Sequence, residues 1–120
     1  MAYQARYDRL LKDEGGWIGV DFDGTLVEYH GHVNDWSYGK PVDLMVERVR
    51  EWLARGITVK IVTARADIPG QRAAVGAFCI KTFGRVLEVT NRKDARMVEL
   101  WDDRAVQVIP NTGKRADGKP

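Results

Sequence analysis

Apolar residues along this chain gather in two kinds of block: short continuous runs, and longer stretches in which they return every three or four positions. Residues 17–21 form a run of the first kind and predict a buried strand. Residues 57–62, short, apolar and β-branched, predict a second. Between them Val42, Met45, Val46, Val49, Trp52 and Leu53 share one helical face, a core face by its width, with Pro41 suited to the first turn and Gly56 to the stop. A further helix is predicted from residue 69 to about residue 82, closed by Gly84, followed by a third strand over 86–89. Residues 91–97 read as a polar link or short helix, 98–101 as a fourth strand, and 105–109 as a fifth that stops at Pro110.

The remaining segments are polar. Tyr7, Leu10 and Leu11 stand at helical spacing within residues 1–14, with Gly15 and Gly16 as a stop, and this short helix reads as an addition to the core. Residues 29–40, rich in Gly, His, Asn and aromatics, read as an irregular loop, and residues 111–120 as a mobile tail. Strands alternating with helices predict an α/β fold: a Rossmann-like three-layer sandwich in which a mostly parallel sheet is covered on both faces. The organisation expected is an N-terminal extension (1–16), a core (17–110) and the tail (111–120). In such sheets ligands collect at the carboxyl ends of the strands.

Composition narrows the class without choosing a partner. A chain of 120 residues suits one domain with its own core, and a formal net charge of +2 is too small to argue for nucleic acid. No apolar run approaches the length that spans a bilayer, and the polar opening lacks the apolar centre of a secretion signal, so a cytoplasmic protein is expected. The single cysteine, Cys79, reads as a small buried side chain.

The candidate chemistry stands at the predicted strand ends. Asp21 and Asp23 lie on one side of an extended chain, and like charges held so close call for a cation or a shared proton. Gly24 then allows a sharp turn, followed by the hydroxyl of Thr25. The second strand ends at Thr63, Ala64 and Arg65, and the fourth at Asp102 and Asp103, so three distant stretches are expected to converge on one crevice. His30 and His32 have no further ligand at metal spacing and read as surface residues, while Trp36 and Tyr38 fit either a stacking platform or the loop's own packing.

Asp21-Phe22-Asp23-Gly24-Thr25, the strand ending in Thr63, a later lysine and the pair Asp102-Asp103 resemble, in order and over residues 17–109, the four motifs of the haloacid dehalogenase-like (HAD) superfamily. The resemblance implies a magnesium-dependent phosphatase in which Asp21 is the nucleophile that forms an aspartyl-phosphate, and Asp23 protonates the leaving oxygen and then activates water. It implies that Thr63 hydrogen-bonds the phosphoryl group, with Gly24, Thr25, Ala64 and Arg65 on the substrate side. Mg2+ would be held by Asp21, the backbone carbonyl of Asp23, Asp102 and, directly or through water, Asp103. Lys93, just ahead of the fourth strand, is better placed than Lys81 to offset phosphate charge. Arg65 reads equally as reaching toward substrate or as a solvated arginine.

Many family members carry a cap domain over the site. Only 37 residues separate Thr25 from Thr63 here, and a loop, helix and strand fill them, so no cap domain fits. An open crevice admits a phosphorylated nucleic-acid end or a phosphoprotein, or is closed by a second subunit of a homo-oligomer or by residues 29–40, which leaves nucleotides and small phosphometabolites as substrates too. The alternatives are a phosphate- and metal-binding module of the same fold without turnover, and a phospho-acceptor signalling domain, for which the middle strand offers no suitable aspartate.

Overall fold

The computed structural model describes residues 2–31 and 37–120, with side chains from residue 7 onward. His32 and Trp36 lie outside the described residues. The elements follow in the order α1 (Ala2–Lys12), β1 (Trp17–Asp21), α2 (Asp43–Ala54), β2 (Thr58–Val62), a 3-10 turn (Ala64–Asp67), α3 (Pro69–Phe83), β3 (Val89–Thr90) and β4 (Met97–Trp101). The four strands form one all-parallel sheet in the order β3-β2-β1-β4, so the chain has an α/β fold.

Register explains where the core lies. Ile18 pairs with Val59, Val20 with Ile61 and Ile61 with Val89, and partners in a parallel pair share a face. That face packs against Met45, Val46, Val49 and Leu53 of α2 and Val75, Phe78 and Cys79 of α3 in one continuous cluster. Two right-handed crossovers running in the same direction across the sheet put both helices on one side. α1 joins the same cluster: Leu11 is buried in it, and the Tyr7 hydroxyl donates to Glu99 Oε1 at 2.8 Å on β4.

The opposite face carries Trp17, Gly19, Lys60, Val62 and Leu100 and has no helix over it among the described residues. The 91–97 link, irregular with a turn at Asp94 and not helical, crosses there instead, its last residue already in β4. Trp17 Nε1 donates to Asp94 Oδ1 at 2.9 Å, and the Lys60 ammonium stands 4.4 Å from the Trp17 ring. A helical third layer, expected from the alternation of elements, is therefore not what covers this face.

Three further expectations differ from the structure. The third strand covers Val89–Thr90 rather than 86–89, with Val86 in solvent and Leu87 buried. Residues 105–109 do not join the sheet. They follow β4 too closely for the long crossover that a parallel neighbour needs, and they pair instead with their own continuation, Val108 bridging Arg115 in antiparallel fashion. The tail expected to be mobile closes this hairpin, with Ile109 N–H donating to Lys114 O and Ala116 N–H to Gln107 O, each at 2.8 Å. Residues 25–63 hold a loop, α2 and β2, with no separate domain among those described, and no helix is long and apolar enough to cross a membrane.

Candidate functional site

β1 ends at Asp21 and the chain folds back at once. Gly24 N–H donates to Val27 O at 2.8 Å, while Leu26 N–H and Val27 N–H both donate to Phe22 O, which drives Phe22, Leu26 and Val27 into the core and leaves Asp21 and Asp23 at the sheet's carboxyl edge. Gly24 has φ +87, and a Cβ there would collide with the Asp103 carboxylate. β4 delivers Asp102 and Asp103 beside β1, where Asp102 Oδ1 accepts from Arg104 N–H at 2.7 Å and fixes the turn.

β2 is followed directly by Thr63, whose Oγ1 accepts from Arg65 N–H at 3.2 Å and caps the 3-10 turn. Capping uses the oxygen of this buried hydroxyl and leaves its hydrogen to donate elsewhere. Asp21, Asp23, Thr63, Ala64, Arg65, Asp102 and Asp103 line one cavity of about 530 Å3, so the three stretches meet as expected. Tyr29, Arg104 and Ala105 complete the wall. Their sequence context, a loop aromatic and a turn after two acids, gives no signal of it.

One carboxylate oxygen from each of Asp21, Asp102 and Asp103 lies within 4.8 Å of the others. Burial, then a hydrogen bond with Asp103 and the charge of Asp102, push the Asp21 carboxyl up to about 7 from an ordinary 3.8, against a smaller opposing pull from the Phe22 backbone. Thr25 Oγ1 stands 3.5 Å from Asp21 Oδ2 and 3.4 Å from Asp103 Oδ1, spanning the pair with long contacts. This trio is short of positive charge, and an all-oxygen donor set suits a hard divalent cation such as Mg2+. The residues present fit the metal that the resemblance implies.

The positive charge nearest Asp23 is Arg65, which neither reaches into open space nor lies in solvent. It is 7% exposed. Its Nε donates to Asp23 Oδ2 at 2.7 Å, and its Nη2 donates to Asp23 Oδ1 at 3.0 Å and to the Ser37 carbonyl at 2.9 Å. The same arginine walls a second recess of about 240 Å3, with Asp23, Glu28, Tyr29 and Tyr38. Tyr38 packs edge-on against Phe22 and Phe78 at 5.4 Å each, so its ring is committed to packing. His30 is exposed and meets Glu28 at 3.1 Å. Lys93, on the link after β3, and Lys81, late on α3, are both exposed, and neither lines the cavity. No protein-family model, curated protein or solved structure matches the chain.

Proposed function

We propose that the chain is a magnesium-dependent phosphomonoester hydrolase of HAD-like type that works through an aspartyl-phosphate on Asp21. Its strand order, with β1 and β2 inside and β4 beyond β1, is read as a Rossmann-like core reduced in its third layer. The observation that carries the reading is the meeting of Asp21, Asp102 and Asp103 oxygens within 4.8 Å on a cavity that also holds Asp23 and Thr63.

In this reading an Asp21 oxygen attacks phosphorus, and the bond to the leaving oxygen breaks as Asp23 supplies its proton. Water then attacks the aspartyl-phosphate, giving a proton back to Asp23 and releasing inorganic phosphate and free Asp21. Thr63 donates its hydroxyl hydrogen to a phosphoryl oxygen. Asp21, Asp102, Asp103 and the Asp23 carbonyl would hold Mg2+, which would supply charge neutralisation between two anions that otherwise repel. With Lys93 outside the cavity, Arg65 is the better candidate for phosphate-side charge.

With no separate domain over the site among the described residues, nucleotides, phosphorylated nucleic-acid ends and small phosphometabolites are all in play. The test is magnesium-dependent phosphate release across such a panel, comparing wild type with Asp21→Asn. A loss on the order of a thousandfold or more is expected in a folded variant. Equal release by both would remove Asp21 as nucleophile. A binding module without turnover is favoured by one observation, the full engagement of both Asp23 oxygens by Arg65; magnesium and phosphate binding with no release from any substrate would select it.

A further inference from the structure

Arg65 has one donor nitrogen unspent in a place where donors are normally paired. Nε and Nη2 fork onto both oxygens of Asp23, Nη2 also holds the Ser37 carbonyl, and Nη1 is buried with no hydrogen-bond partner among the described residues. A buried guanidinium N–H without an acceptor bears its whole desolvation cost. Asp23 has the opposite difficulty. As the proton donor it needs an oxygen turned to the leaving group, and both are held by the fork. Phosphoryl oxygens present the same acceptor geometry as a carboxylate, with more charge and one oxygen to spare. Asp23 and Arg65 line the cavity that holds Asp21 as well as the recess beside the 29–40 loop, so the fork is within one side chain's swing of both.

We propose that Arg65 exchanges partners when a phosphoryl group enters: its fork leaves Asp23 for phosphoryl oxygens, Nη1 gains its acceptor, Asp23 is freed toward the leaving group, and the hold on Ser37 is released. Arg65 thereby ties occupancy of the phosphoryl site to readiness of Asp23 and to its own hold on Ser37. The inference rests on the phosphatase reading, because it needs a phosphoryl group beside Asp21.

The test follows the Arg65 Nε–Hε resonance of the 15N-labelled wild-type protein, assigned by its loss in Arg65→Lys, during titration with inorganic phosphate in the presence of Mg2+. The resonance is expected to move with the same apparent affinity as the amides of Thr63 and Ala64. Amides that move while Nε–Hε stays still would overturn the exchange and leave the phosphate site standing; no movement of either would overturn both. A second arm measures phosphate affinity by calorimetry in Asp23→Asn, Arg65→Met and the double variant. Removing the competing carboxylate is expected to tighten binding by about tenfold when Arg65 is present, with that gain lost when it is absent. An equal gain in both backgrounds would show general charge relief and sink the exchange. Should Arg65→Met fail to fold, the wild-type titration decides alone.

Discussion

Gly24 is held by two independent constraints, a left-handed φ of +87 and the Asp103 carboxylate standing where a Cβ would go. Either alone disfavours a side chain. Together they make Gly24→Ala a test of whether the turn after β1 builds the acidic site. The variant is expected to lose about 1–3 kcal/mol of stability. Magnesium affinity is expected to fall by roughly tenfold or more as Asp103 is displaced. Calorimetric titration of Mg2+ checks this, and a wild-type affinity would separate the turn from the site. Cys79 makes the opposite kind of statement. Burial pushes its thiol up to about 11, so it stays protonated at pH 8 and is expected to resist a thiol reagent until the chain unfolds. Rapid labelling of the native protein would contradict its placement on the buried face of α3. At this scale the acids were readable, because charge spacing at a strand end is a local property. Arg65 was not: its partners Asp23 and Ser37 lie 42 and 28 residues away, and a sequence does not state which distant carboxylate a guanidinium meets.

Elements were legible where a single face or run decides them. β1, α2, β2 and α3 follow from apolar spacing and from Pro and Gly at their ends, and the structure places them within a few residues of expectation. The failures have one cause. Residues 105–109 have the composition of a strand, yet membership of a parallel sheet depends on the connection, and three residues after β4 cannot return a chain to the other end of the sheet. Likewise 91–97 had either the polarity of a link or the makings of a short helix, and only its hydrogen bonds to Trp17 and the Asp94 turn settle it as a link. α1 reads from sequence as an appendage, but Leu11 is 4% exposed within the main core. Leu11→Ala is therefore expected to cost about 2–4 kcal/mol in global stability. Chemical denaturation measures it; a loss near zero would return α1 to the status of an extension.

At the scale of the whole molecule, the acidic site imposes a pH dependence whose sign can be worked out. Asp21 has its carboxyl raised to about 7 in the fold against an ordinary 3.8, so between about pH 4 and pH 7 the folded chain binds more protons than the unfolded one. Stability then falls as pH rises across that window, and the loss is complete above the folded value. Groups that act oppositely finish below it. Asp94 is lowered first by the Trp17 hydrogen bond and Asp117 by Arg115, and their contributions are lost only as pH falls under the ordinary carboxylate range. From these three groups, metal-free protein is expected to be most stable near the bottom of the Asp21 window. Thermal melts in a chelator, from pH 4 to pH 8, are expected to trace this decline. Asp21→Asn is expected to remove it, since the amide has no proton to lose. Saturating Mg2+ is expected to flatten or reverse the slope in the wild type, because a cation that binds the ionised trio stabilises the fold most where the carboxylates are charged. A decline that persists unchanged in both Asp21→Asn and saturating Mg2+ would locate the pH dependence elsewhere and leave the three carboxylates as an acidic edge with no ion to hold.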